Sequence, residues 1–349
     1  MSLKPRGAVR RMKPYSPPTA GRAGKLRLDF NENTVGCSPR VIEFLLARLS
    51  AGGLAVYPEY GDTKRALADF FQVSPEQFLL TNGTDEAIQI FVNTYVNGGE
   101  EVVILRPSYA MYRFYAEVAS ATVREVDYRK PKMDFPLEEL LDTITPSTRA
   151  VILANPNNPT GTAVQIPGIE RILKRARKAA VLIDEAYYEF CGITALPLIE
   201  RASNLFVSRT FSKVYGMAAM RLGCLFSHPA NVQFLHKAQS PYSVNTVAAL
   251  AVQEAVRDRE YIESYVTEVL AARKLLCVGL ERMDIPYVPS SANFVLANIG
   301  KRAIEIRDKL RDRDILVRDR SYEVPGHVRM TVGTLEQTER LIEALEKIW

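Results

Sequence analysis

The chain has 349 residues, 47% of them apolar and 24% charged, a balance ordinary for a soluble globular enzyme of roughly two domains. No apolar run approaches the ~18 residues needed to span a bilayer, which argues against a membrane protein. The net charge of +5 conceals an asymmetry: residues 1–28 hold eight Lys/Arg and no acid, while the remainder holds 37 basic and 40 acidic residues.

A basic arm of this kind could bind nucleic acid or a phosphorylated ligand. Aromatic interleaving is sparse and no nucleic-acid motif is present, so the reading is a solvated arm packing on a neighbouring subunit. Pro5, Pro14, Pro17 and Pro18 break the first 27 residues, which lack the apolar core of a secretory leader. The expectation is a cytoplasmic protein. Cys37, Cys191, Cys224 and Cys277 show no paired spacing, and His228, His236 and His327 are scattered. Reduced structural cysteines and no metal are expected.

Elements with chemistry attached begin at Leu80-Thr81-Asn82-Gly83-Thr84-Asp85-Glu86, which runs into a helical pattern at Asp85–Val96. Gly83 permits close backbone approach, Thr84 could be the N-cap, and the free amides of the first turn could receive an anion. Such a turn can equally be only a helix start. The apolar strand Glu101–Leu105 leads to Pro107-Ser108-Tyr109, where Tyr109 could stack on a planar ring or simply join the core. A helix at Ala110–Val118, a strand at Thr122–Val126 and a helix at Leu137–Ile144 follow.

The strand Arg149–Ala154 ends in Asn155-Pro156-Asn157-Asn158-Pro159-Thr160-Gly161, a stretch that fixes an irregular backbone. Asn155 stands where its amide faces a ligand crevice; Asn157 and Asn158 read as structural. After the helix Ile166–Lys178, the strand Ala180–Ile183 ends in Asp184-Glu185-Ala186-Tyr187. A buried carboxylate at Asp184 needs a cation. A protonated pyridine nitrogen or a protein arginine would each serve. Strand Asn204–Ser208 leads into Arg209-Thr210-Phe211-Ser212-Lys213, with Arg221 eight residues later. A lysine just past a strand and flanked by hydroxyls can form a Schiff base with an aldehyde cofactor. Thr210, Ser212 and Arg221 could complete an anion site with the Gly83 turn.

A helical region is expected from Val244 to Met283, then strands at Phe294–Ala297, Ile315–Arg318 and Val328–Val332 and helices at Ala303–Arg311 and Leu335–Ile348. Arg329 lies inside an apolar strand and Arg318 at the end of another, so each needs an anionic partner. A domain-internal ion pair would satisfy either. Continuous apolar strands separated by helices imply an α/β protein with a mostly parallel sheet, whose ligands gather beyond the strands' carboxyl ends.

Taken in order, these segments resemble the fold-type I pyridoxal-5′-phosphate (PLP) aminotransferases, in particular the histidinol-phosphate aminotransferase branch of the class II family. The resemblance spans nearly the whole chain, from Asn31-Glu32-Asn33 and Tyr57-Pro58 to Arg329-Met330-Thr331-Val332-Gly333. It implies a homodimer with an N-terminal arm (1–40) packing on the small domain or the partner subunit, a large PLP-binding domain (41–255) and a small α/β domain (256–349). It further implies that Lys213 holds the cofactor and shuttles the proton, and that Asp184 pairs the ring nitrogen. Asn155 and Tyr187 would contact the ring oxygen, and Tyr109 would stack on the ring. Gly83, Thr84, Asp85, Thr210, Ser212 and Arg221 would line the phosphate site, with Tyr57 reaching in from the other subunit. Arg329 and Arg318, with Tyr15 and Asn33, would hold the anionic end of the substrate. Thr34 and Val35 stand where the family has Pro and an aromatic, and Arg320 is an extra cation.

The implied reaction is transamination between histidinol phosphate and 2-oxoglutarate. An aromatic amino-acid transaminase, or a PLP-dependent decarboxylase of a phosphorylated amino acid such as threonine phosphate, shares most of these motifs. A non-catalytic binding protein that kept the fold is the alternative of another kind. Retention of Lys213, Asp184, Asn155, Tyr187 and Arg221 together argues against it.

Overall fold

A computed structural model describes residues 3–14 and 19–349. Its strands, in chain order, are β1 (Leu26–Leu28), β2 (Phe78–Thr81), β3 (Glu101–Arg106), β4 (Thr122–Asp127), β5 (Thr148–Ala154), β6 (Ala180–Asp184), β7 (Leu205–Thr210), β8 (Gly223–Ser227), β9 (Tyr287–Val288), β10 (Phe294–Asn298), β11 (Ile315–Asp319) and β12 (His327–Thr331).

The large sheet has seven strands in the order β2-β8-β7-β6-β5-β3-β4. Strands β4, β3, β5, β6 and β7 run parallel, and the apolar side chains of β3, β5, β6 and β7 are buried on both faces, while β4 forms a largely exposed edge. The sequence patterns of β3 to β7 match this closely. Strands β2 and β8 carry no separate expectation; β8 pairs antiparallel with both β7 and β2. Gly223 opens β8 because its backbone passes close to another: an added Cβ would lie 2.9 Å from the Arg209 carbonyl oxygen and 3.0 Å from the Gly83 carbonyl carbon. The missing side chain thus lets β8 bring Arg221 up to the Gly83 turn.

The expected helical region from Val244 to Met283 is two helices, Thr246–Ala255 and Arg259–Arg282, capped by the side chains of Asn245 and Asp258. The longer helix runs from the large unit into the smaller one. There the sheet order is β1-β11-β12-β10-β9, with β1 parallel to β11 and the other pairs antiparallel. The N-terminal arm therefore contributes a strand to the small sheet. Its short helix, Gly7–Arg11, lies by the large unit, where Arg6 bonds the Val118 carbonyl at 2.8 Å. Among the described residues, no helix is long and apolar enough to cross a membrane, and no group of three His, Cys, Asp or Glu could hold a metal ion.

Candidate active site

The carboxyl ends of β5, β6 and β7 meet the β2–helix turn and the small sheet around Lys213. At the turn, Gly83 opens the helix Gly83–Tyr95 with φ +75°, and Asp85 and Glu86 stand in its first turn. The N-cap is Asn82, so Thr84 sits inside the first turn and does not cap it. Arg221 crosses over the turn: a Cβ on Gly83 would lie 2.5 Å from its Nη2. That guanidinium donates to Ser212 Oγ at 3.3 Å and to Asp85 Oδ2 at 3.3 Å, and Tyr109 donates to Asp85 Oδ1 at 2.8 Å. Thr210 Oγ1 accepts from the Ser212 amide at 3.1 Å. Gly83, Thr84, Asp85, Tyr109, Thr210, Ser212 and Arg221 are thus brought to one corner. A helix N-terminus beside a half-exposed guanidinium suits a phosphate.

Asp184, the last residue of β6, is buried. It accepts from the Tyr112 hydroxyl at 2.7 Å and from Ser208 Oγ at 2.9 Å. No ion pair to it exists among the described residues, and burial pushes its carboxyl up to about 6. Burial first, then Asp184 itself, holds the Tyr112 hydroxyl well above its ordinary range, so Tyr112 remains a donor. Sequence reading missed Tyr112 and Ser208 as partners. The available signals were helical spacing, which puts Tyr112 one turn from Tyr109, and strand alternation, which puts Ser208 and Thr210 on one face.

Asn155 is buried, and its side chain accepts from the Val164 amide at 2.9 Å and donates to the Val164 carbonyl at 3.1 Å. It therefore clamps the returning loop beside Asp184, whose carbonyl receives the Asn155 amide at 2.8 Å. Asn157 is structural as expected, tied to Ser108 and to the Pro107 carbonyl. Asn158 is not merely structural: its Oδ1 accepts from Arg329 Nη1 at 2.5 Å.

Lys213 is half-buried, and its Nζ donates to the Phe30 carbonyl at 3.1 Å and lies 5.7 Å from the Tyr187 ring centroid. Among the described residues it has no ion pair. The Tyr187 hydroxyl accepts from Asn31 Nδ2 at 3.0 Å, and Asn31 Oδ1 accepts from Thr331 at 2.9 Å. Asn31 adopts φ +57°, a conformation asparagine tolerates better than most residues. Asn33 is buried, bonding the Val214 carbonyl and the amides of Val35 and Gly36, so its side chain binds loop backbone.

Arg329 on β12 stands directly across from Arg318 on β11. It is buried, bonds Asn158 and the Asp29 carbonyl (2.6 Å), and keeps an unpartnered Nε. No ion pair to it exists among the described residues, so the domain-internal pair that sequence left open for Arg329 is not formed. Burial, then the nearby cations Arg320 and Arg318, pushes Arg329 down to about 10. It stays charged at neutral pH and lacks an anion. Arg320 is instead paired with Glu323. Tyr57 is exposed and stacks on Tyr242, with ring centroids 4.3 Å apart. Tyr15 lies outside the described residues.

The residues present fit PLP on two observations: a buried carboxylate lacks a cation where a ring nitrogen would lie, and an open helix turn meets Arg221 where a phosphate would lie.

The comparisons agree. A match to the family "Aminotransferase class I and II" covers residues 23–345. A histidinol-phosphate aminotransferase of Symbiobacterium thermophilum is 36% identical, over 98% of this chain and 97% of that protein. One of Bacillus cytotoxicus is 33% identical, over 93% and 88%. The solved histidinol-phosphate aminotransferase of Sinorhizobium meliloti, in complex with pyridoxal-5′-phosphate, superposes with a TM-score of 0.88 at 24% identity, over 100% of this chain and 99% of that one. Thermus thermophilus aspartate aminotransferase with maleate gives 0.86 at 23%, over the full length of both. These two show the shared fold. With the family match over most of its length and the converging site around Lys213, this chain belongs to the class I and II aminotransferases, enzymes that depend on PLP.

Proposed function

We propose that the enzyme transfers the amino group of histidinol phosphate to 2-oxoglutarate, giving imidazole acetol phosphate and glutamate. The observation that carries the substrate is Arg329, a buried cation without an anion, directly across from Arg318. Two guanidiniums suit a phosphate dianion better than one carboxylate. The names of relatives that are 36% and 33% identical support the same donor.

When bound, PLP supplies a carbonyl that captures the donor amine and a ring that withdraws electrons from the donor carbon. Asp184, held in place by Tyr112 and Ser208, would keep a proton on the ring nitrogen. The amides of the Gly83–Asp85 turn, with Arg221, Ser212 and Thr210, anchor the cofactor phosphate. Lys213 Nζ takes the proton from the donor carbon and returns it on the far side of the transfer. Tyr187, steadied by Asn31, and Asn155, whose side chain also clamps the Val164 backbone, would hold the ring oxygen, and Tyr109 would pack on the ring. Asn33 acts through the loop behind Lys213. The active unit in this reading is a homodimer, in which exposed Tyr57 reaches the cofactor phosphate of the other subunit.

The test mixes purified enzyme and 2-oxoglutarate with histidinol phosphate, phenylalanine or threonine phosphate. Glutamate formation with histidinol phosphate is expected. Glutamate from phenylalanine alone, or carbon dioxide from threonine phosphate, would replace the proposed substrate.

A further inference from the structure

Among the described residues Arg318 and Arg329 have no ion pair, although three acids stand in the segments around them. Asp29, whose carbonyl accepts from Arg329, and Glu32 belong to the segment after β1, and Glu323 lies in the turn that joins β11 to β12. A buried cation beside free carboxylates would pair with them. The partners these carboxylates take instead leave Arg329 open.

Arg22 takes the first two. Its Nε and Nη2 donate to the oxygens of Asp29 at 3.1 and 2.8 Å, and its Nη1 and Nη2 to those of Glu32 at 3.2 and 2.6 Å. Its guanidinium carbon lies 4.2 Å from the Phe30 ring centroid, and that of Arg318 lies 5.6 Å from the same centroid. One ring thus carries a cation that is neutralised and a cation that is not.

Arg320 takes the third. Strand alternation sends Arg318 and Arg320 to one face of the small sheet, and the register that sets Arg329 across from Arg318 puts it on that face too. The Arg320 amide bonds the His327 carbonyl at 2.9 Å, and the Arg320 carbonyl receives the amides of Glu323 at 2.9 Å and Val324 at 2.8 Å. The turn so formed returns the Glu323 carboxylate to Arg320, which is buried and pairs with it. Burial raises the Glu323 carboxyl above its usual range, and Arg320, then Arg329 and Arg318, draw it part of the way back. Glu323 therefore feels the two open cations yet bonds neither.

We propose that Arg320 is a positioning residue that holds Glu323 off Arg329 and Arg318, so that both cations stay open to the anionic end of the substrate. The inference rests on those two arginines receiving that anion, as in the reading above. Without Arg320, Glu323 would be a partly buried carboxylate without a partner, and it would turn to the two cations whose charge it already feels. The enzyme would then carry its own competitor for the substrate.

The test is a double-variant cycle on the PLP-loaded enzyme, with kcat and KM measured for histidinol phosphate and for 2-oxoglutarate. Arg320→Gln should raise the KM for histidinol phosphate by about tenfold or more, with kcat and the visible band of bound PLP as in wild type. Glu323→Gln should leave that KM at or below the wild-type value, because it removes the competitor. The two changes combined should return the KM to within about twofold of wild type. A pair that only braces the turn predicts otherwise: each single variant would raise the KM, and the combination would stay raised. Either of those results, or a wild-type KM in Arg320→Gln, would overturn the proposal. Glu323→Gln alone decides the matter if Arg320→Gln is too unstable to assay. Failure of histidinol phosphate as a donor would overturn the substrate reading instead. The same pattern in the KM for 2-oxoglutarate, with whichever amine is the donor, would still uphold the role of Arg320.

Discussion

Tyr112 and Asp184 share a hydrogen bond of 2.7 Å in which the tyrosine is the donor, so the helix Ala110–Val118 holds the carboxylate at the end of β6 in place from behind. That bond and the one from Ser208 favour the charged form, yet burial outweighs them and leaves Asp184 at about 6. A carboxylate so placed weakens the empty protein and waits for a cation.

The pH dependence follows in sign. Asp184 rises from its ordinary 3.8 to about 6 on folding. Between those values the folded chain holds the proton more tightly than the unfolded chain. The stability involved is fully present below about pH 4 and lost as pH rises through about 6, roughly 3 kcal/mol in all. Asp184→Asn should therefore unfold at a higher temperature than wild type at pH 8 when both lack cofactor, and at a similar temperature near pH 4. The same variant should bind PLP at least about tenfold more weakly, since it removes a charged hydrogen-bond partner. Thermal unfolding of cofactor-free protein across that pH range and fluorescence titration with PLP check the two halves separately.

Gly83→Ala should disturb the phosphate corner without touching Lys213. The new Cβ would meet Arg221 Nη2 at 2.5 Å, and φ +75° disfavours any L side chain by about 1–2 kcal/mol. A lower melting temperature and PLP affinity reduced about tenfold or more are expected. A variant that binds PLP as wild type does would show that Arg221 gives way freely.

Arg329→Lys keeps the charge but loses the fork that reaches Asn158 and the Asp29 carbonyl together. The KM for histidinol phosphate should rise by about ten- to a hundredfold, while the visible band of bound PLP stays as in wild type. Steady-state kinetics beside the absorption spectrum separate substrate binding from cofactor loss.

Tyr57 permits a test of the dimer. Chains carrying Tyr57→Ala and chains carrying Lys213→Ala are each expected to be impaired. Mixed and re-associated, they should regain activity toward about a quarter of wild type, because random pairing leaves one in four sites with both residues intact. No gain on mixing, with hybrids confirmed by native mass spectrometry, would mean that Tyr57 serves its own chain.

Much of this site could be read along the chain because α/β sheets place ligands at strand ends, and strand ends are visible where apolar runs stop. Asp184, Asn155 and Lys213 all follow such runs. What stayed hidden were partners supplied across space. Tyr112 and Ser208 are unremarked residues of a helix and a strand until the sheet brings both to Asp184. Asn158 looked like loop scaffolding because its bond to Arg329 joins residues 171 positions apart. Strands β2 and β8 escaped because each is short and their antiparallel pairing depends on the close passage at Gly223.

Strand β1 also bears on how the molecule is made. Leu26 pairs with Ile315, so an early-synthesised segment must wait for one of the last. The Asn31 loop that steadies Tyr187 follows β1 directly and bonds Thr331 and Asn293. On a ribosome, the large sheet can form while β11 and β12 are still unsynthesised. The substrate side then closes last, through a contact of very high sequence separation. A nascent or C-terminally cut chain would hold Asp184 in place, yet lack both the seating of the Phe30 carbonyl that Lys213 bonds and the wall that decides which amine they meet.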